Sequence, residues 1–231
     1  MKKSLDTRKL LPSKGFTLVE MAIVLIIVGL LISAFLAPLS AQRDLKDYTE
    51  TKNRLEQVRE ALYGYAIING SLPCPTTTAD PTDNINYGHR NATCPLTAVA
   101  GVLPWKDLGV MEVDSWGIQR ALTADPWTGY WVYRVDPAFT TAFSLTTTAG
   151  IIDVRKSDGT TSLTIAAERA AAVICTTGKN RAADGQNASF ETASPVIYQE
   201  DFQSPTFDDM CIWITRPSLF NRMVSAGKLP Q

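Results

Sequence analysis

From Met21 to Gln42 the chain carries no charged residue, and Met21 to Ile32 is almost wholly aliphatic. A helix rises about 1.5 Å per residue, so about twenty such residues cross a hydrocarbon layer of about 30 Å. Ahead of this run, Lys2, Lys3, Arg8, Lys9 and Lys14 stand against Asp6 alone, so Met1 to Lys14 carries +4. Such a leader stays on the cytoplasmic side while the remainder is exported. An ordinary signal peptide would be cut after the apolar stretch, at small residues such as Ser33-Ala34 or Ser40-Ala41. Glu20 argues against that, because a carboxylate in a membrane-length segment is costly and usually functional.

The residues before it, Lys14-Gly15-Phe16-Thr17-Leu18-Val19-Glu20, resemble the prepilin signature of type IV pilins and type II secretion pseudopilins. The resemblance implies cleavage between Gly15 and Phe16 by prepilin peptidase and N-methylation of Phe16. It also implies an assembly role for Glu20, whose charge would pair with the Phe16 amino group of a neighbouring subunit. An unpaired buried charge gains only by meeting its counter-charge, so Glu20 would favour docking into a growing filament. Gly29 and Pro38 resemble helix-loosening positions of these anchors. The implied fold class is α+β, pilin-like. A long N-terminal helix, half transmembrane and half amphipathic, packs on an antiparallel β-sheet head.

The residues beyond the membrane run agree with a long helix. Leu45, Tyr48, Leu55, Val58, Leu62 and Tyr65 recur at spacings of three, four and seven, one face of an amphipathic helix. A coiled-coil seam is the other reading of that stripe, which lasts barely three heptads. Asn69-Gly70 and Pro73 make a stop signal, so one helix is predicted from Phe16 to Asn69, about 80 Å long. The expected organisation is a leader at 1–15, a transmembrane and filament-core segment at 16–40, an amphipathic segment at 41–70 and a β-rich head at 71–231. In the head, Tyr130–Val135, Ile151–Lys156, Thr160–Ile165, Ala171–Thr176 and Cys211–Thr215 read as strands. Ser157-Asp158-Gly159 reads as a hairpin turn, and Ser218–Ser225 as a closing helix after Pro217. Asp114-Ser115-Trp116-Gly117 and Asp125-Pro126-Trp127-Thr128-Gly129 share a small D-x-W turn unit. The second resembles a turn that precedes a head strand in pseudopilins. Its physical role is a turn with an aromatic cap on the core.

Four cysteines in an exported head suggest two disulfides, with three connectivities possible. Cys74–Cys94 would close the proline-rich loop after the helix, and Cys175–Cys211 would tie two strands together. No C-x-x-C pair exists and His89 is the sole histidine, which speaks against a zinc site. No resident cofactor is expected, with one reservation. Some pseudopilins hold calcium in a carboxylate-lined loop near the C-terminus, and the resemblance makes Asp201, Asp208 and Asp209 candidates, beside Glu200. The plain alternative is a solvated acidic loop. Asn91-Ala92-Thr93 and Asn187-Ala188-Ser189 spell glycosylation sequons, which the bacterial context of the resemblance makes accidental.

No catalytic residue is expected. His89 lies among loop residues, and G-x-S-x-G, P-loop and dinucleotide glycine patterns are missing from the sequence. The balance of 22 basic and 23 acidic residues gives no basic excess for nucleic acid. The resemblance implies a structural subunit, minor pilin or pseudopilin, of a type IV pilus or type II secretion pseudopilus. Its partners would be other subunits, prepilin peptidase and an inner-membrane assembly platform. Its place would be the bacterial inner membrane, head in the periplasm, then the filament. The alternative is a bitopic inner-membrane protein whose head binds a ligand or polysaccharide, with Trp105, Trp116, Trp127, Trp131 and Trp213 as stacking platforms.

Overall fold

The computed structural model describes residues 15–76, 84–94, 101–120, 128–156, 158–166, 168–189, 196–200 and 206–229, excepting the side chains of 34–40. The chain divides into two units, residues 1–46 and 47–231. In the first, helix α1 (Leu18–Asn69) begins, and every described side chain from Gly15 to Ser33 is exposed. Among the described residues no helix is long and apolar enough to cross a membrane. The uncharged run of the sequence continues through 34–40, whose side chains lie outside the described residues.

In the second unit α1 buries one face. Thr51, Leu55, Val58, Leu62 and Ala66 recur every three to four residues and are fully buried. The stripe read from the sequence is right at its centre and wrong at its ends. Leu45 is exposed, and Tyr63, rather than Tyr65, packs into the core. Thr51 was invisible as a core position because it is polar; its hydroxyl accepts the Ser115 N–H at 3.2 Å. The helix ends at Gly70, in the left-handed conformation, whose N–H bonds Ala66 O at 2.8 Å.

The helix face packs with residues of a six-stranded sheet. The strands are β1 (Gly101–Val102), β4 (Val132–Val135), β5 (Ile152–Arg155), β6 (Ala170–Thr176), β7 (Val196–Gln199) and β8 (Met210–Thr215). Their order is β1-β4-β6-β5-β7, with β8 paired to β6. The sheet is mixed: β5 and β7 run parallel, and the other pairs are antiparallel. β6 is buried along its whole length. Ala170 pairs with Ile152 of β5 and with Thr215 of β8, which places β5 and β8 on opposite sides of β6.

Both disulfides form. Cys175 and Cys211 stand directly opposite in the β6–β8 register, with Cα atoms 4.2 Å apart, the close spacing of a non-hydrogen-bonded antiparallel pair. Cys74–Cys94 closes the loop after α1, across a Cα separation of 5.2 Å. A short helix α2 (Trp105–Leu108) follows that loop, and helix α3 (Arg216–Ser225) ends the head. α3 is capped by Thr215, whose hydroxyl accepts the Ser218 N–H at 3.3 Å. Its other end is a Schellman turn at Gly227, with Lys228 N–H to Met223 O at 2.9 Å.

Thr128-Gly129, the described end of the second D-x-W unit, meets the first unit. β2 (Val113–Ile118) pairs with β3 (Thr128–Tyr130) as a separate two-stranded sheet; Asp125 to Trp127 lie outside the described residues. Gly129 has a positive φ, and a Cβ there would stand 2.5 Å from both Gly117 Cα and Asp114 Oδ1. The glycines allow backbone-to-backbone approach. Buried Asp114 accepts the Thr176 hydroxyl and the Trp116 N–H, tying this ribbon to β6. Burial pushes its carboxyl up, against the pull of those donors. Arg54 donates to Val113 O and Asp114 O at 3.0 and 2.9 Å, tying the ribbon to α1.

Two expectations are corrected. Thr160–Ile165 forms isolated bridges rather than a strand, because Ser162 and Thr164 turn their hydroxyls to Asp153 instead of continuing a ladder. Tyr130–Val135 splits into β3 and β4, with Trp131 between them fully buried and donating from Nε1 to Met111 O at 2.8 Å. Leu62 is fully buried between helix and sheet. Leu62→Ala should cost about 2–5 kcal/mol, read as a lower urea midpoint at unchanged slope.

Candidate functional site

The first candidate lies at the start of α1. Gly15 and Phe16 precede the helix, and Phe16 is 81% exposed. Thr17 is the N-cap, so the helix begins two residues later than the sequence reading. Its hydroxyl accepts the Glu20 N–H at 3.2 Å, while Glu20 Oε2 accepts the Thr17 N–H at 2.8 Å and the Thr17 hydroxyl at 2.9 Å. This is a reciprocal capping box, spelled T-x-x-E in the sequence. That local signal marks the helix start at Thr17, which the charge of Glu20 alone does not. The carboxylate is therefore held in place by its own chain, yet it makes no ion pair among the described residues. The Gly15–Phe16 bond sits in exposed non-helical chain one residue before the cap.

Residues 11–36 match the prokaryotic N-terminal methylation motif. The chain carries a methylation motif typical of type IV pilins and pseudopilins. No curated protein and no solved structure matches the chain. The matched segment spans the basic end of the leader, Gly15, Phe16, Glu20 and the start of the apolar helix.

The second candidate is in the head. Asp184, Asp208 and Asp209 each bring a carboxylate oxygen within 4.8 Å of the others. Asp201 lies outside the described residues. Asp184 was not foreseen, because it sits in the loop after β6, distant in sequence from the Asp208-Asp209 pair that opens β8. The fold clasps the two segments together. Asp208 N–H donates to Asp184 Oδ2 at 3.0 Å, and Asp184 N–H to Asp209 Oδ2 at 2.9 Å. Asn187 Nδ2 donates to Asp209 Oδ2 at 3.0 Å and to Gln199 O at 2.9 Å, so this second sequon asparagine is wholly buried in the network. Asn180 donates its backbone N–H to Asp208 and its side-chain amide to Asp184.

Asp209 is 1% exposed. Its Oδ1, like Asp208 Oδ1, is a buried oxygen without a hydrogen-bond partner among the described residues. Three carboxylates with two orphaned oxygens are the donor set of a hard cation, so the residues present fit one. Burial, with the charges of Asp184 and Asp208 beside it, pushes Asp209 up from 3.8 to about 7. Burial also raises Asp208.

The tryptophans are mostly structural. Trp105 and Trp131 are buried, half-buried Trp116 and Trp213 both pack on the core, and Trp127 lies outside the described residues. His89 faces Asp107, with Nδ1 to Oδ1 2.7 Å, and Arg90 N–H donates to the same carboxylate at 2.6 Å, which latches the loop onto α2.

The raised carboxyl at Asp209 sets a sign for pH dependence. The folded state holds the proton more tightly than the unfolded state, so that stability is full below about pH 4 and is lost as pH rises toward 7. In EDTA, the wild-type melting temperature should carry this falling contribution between those values. Asp209→Asn should remove it, and an unchanged profile in the variant would contradict the assignment.

Proposed function

We propose that the chain is a structural subunit, a minor pilin or pseudopilin, of a type IV pilus or type II secretion pseudopilus. The observation that carries this reading is the methylation motif at 11–36, a stretch in which exposed Gly15 and Phe16 precede a capped helix that runs on to Asn69. On this reading residues 1–15 are the leader, 16–40 the transmembrane and filament-core segment, 41–70 the amphipathic segment and 71–231 the exported head. Prepilin peptidase cuts between Gly15 and Phe16, and the new Phe16 amine is methylated. The subunit waits in the bacterial inner membrane with its head in the periplasm. It then joins other subunits on an inner-membrane assembly platform.

The work done is packing, and no residue is assigned a catalytic role. Glu20 pairs with the Phe16 amine of the neighbouring subunit. The Thr17 cap presents that carboxylate at the first helical turn, so little side-chain freedom remains to be lost when the pair forms. The minor-subunit reading is favoured by the head's closing helix α3, where a cysteine-closed terminal loop would suit a major subunit.

N-terminal peptide mass spectrometry of protein from its native membrane should find a chain beginning at N-methylated Phe16. A chain beginning at Met1, or cut after Ala34 or Ala41, would overturn the reading. Glu20→Ala should abolish filament incorporation while the head keeps its melting temperature.

The acidic cluster supports a separate role for the head, calcium held by Asp184, Asp208 and Asp209. Two orphaned carboxylate oxygens favour it. Calcium added to EDTA-stripped protein should release heat in a calorimetric titration and raise the melting temperature. No heat and no shift would remove the idea.

A further inference from the structure

A pocket of about 570 Å³ lies wholly within the second unit, a size usual for a small-molecule site. Its walls come from α1, β8, α3 and the residue after β7. α3 is fastened across it. Tyr63 Oη donates to Ser218 Oγ at 2.8 Å, and Arg222 pairs with Glu60 at 2.7 Å while lying over the Tyr63 ring. These contacts hold α3 against α1, so that wall is set in the free chain and binding need not order it.

The charges of the walls decide what can enter. Three cations, Lys52, Arg59 and Arg222, stand with three carboxylates, Glu56, Glu60 and Glu200. The sum is zero, so an ionic ligand gains no net attraction. A purely apolar ligand would strip water from all six groups. An uncharged polyol avoids both costs. Each hydroxyl donates one hydrogen bond and accepts up to two, so it can satisfy a guanidinium and a carboxylate together.

Two of these side chains have bonding capacity left over. Arg59 gives a terminal nitrogen to Glu56, and its Nε is buried without an acceptor. Burial raises the Glu200 carboxyl from its usual value, and the charge of Lys52 is the one opposing influence, so no hydrogen bond steadies it. A donor without an acceptor and a desolvated acceptor without a donor therefore line one pocket. The half-buried Trp213 completes it. The residue packs on the core beside Cys211 and also lines the pocket, which fits an indole fixed by packing with surface left to offer. The apolar face of a sugar ring stacks on such a surface, leaving its hydroxyls at the rim.

We propose that this pocket binds a short neutral saccharide, with a ring stacked on Trp213 and hydroxyls bonded by Arg59 and Glu200. The inference goes beyond the filament reading and is independent of it, since it concerns what the head holds rather than how the helix assembles.

The test is retention of the full chain on an array of neutral, uronate-bearing and amino-sugar-bearing oligosaccharides, in a detergent without a sugar headgroup. Binding should fall among the neutral members, and calorimetric titration with the best retained one should give its affinity. Trp213→Leu and Glu200→Ala should each weaken that affinity about tenfold, the scale of one hydrogen bond to a charged group. Glu200→Gln keeps an acceptor and should bind as the wild type does, which a charge-driven site would not allow. Trp213 packs on the core, so its variant counts only if the melting temperature holds. Glu200 is half-exposed and carries the test alone if that variant unfolds. Retention of no neutral saccharide, retention of charged ones only, or neutral binding that Glu200→Ala leaves unchanged would overturn the site. None of these results bears on processing at Phe16, so the filament reading would stand or fall separately.

Discussion

One helix must satisfy two different surroundings, and the rest of the structure follows from that. Over 51–66 its buried face, Leu55, Val58, Leu62 and Ala66, packs with residues of the sheet and loses its contact with water. Apolar burial on this scale is the main favourable term holding a head of this size together. Over 18–33 the same helix has no such partner among the described residues, and Leu18, Leu25, Ile26 and Leu30 are all exposed. A continuous apolar surface of that length is not stable in water. The second unit therefore closes a core through its own contacts, and the described side chains of the first unit do not.

The head shows how loop-rich sequence is held in place. The Cys175–Cys211 bond, the Asp114 contact to Thr176 and the Asp184–Asp208–Asp209 clasp all bear on β6, β8 or the segments flanking them. β6 is buried throughout and offers only backbone and small or aliphatic side chains, so polar fastening has to be done at its ends. Packing three carboxylates there opposes folding through desolvation and mutual repulsion. Backbone and amide donors from Asn180, Asp184 and Asn187 offset part of that cost, and a proton or a cation would offset more.

Most of the architecture was legible because it is written in short-range patterns. The uncharged run, the helix stripe and its Asn69-Gly70 stop, the β6 and β8 strands and the Pro217 helix start are all local signals. What could not be read is non-local. β7 pairs in parallel with β5 from more than forty residues away, and nothing in Val196–Gln199 names its partner. Asp184 reaches the candidate site only because the loop after β6 folds back over the start of β8. Thr51 and the Gly117–Gly129 approach depend on which chains meet, and composition does not encode that. The segment 160–165 was misread in an instructive way. Its alternation is strand-like, yet Asp153 captures the Ser162 and Thr164 hydroxyls and leaves Leu163 and Ile165 facing outward.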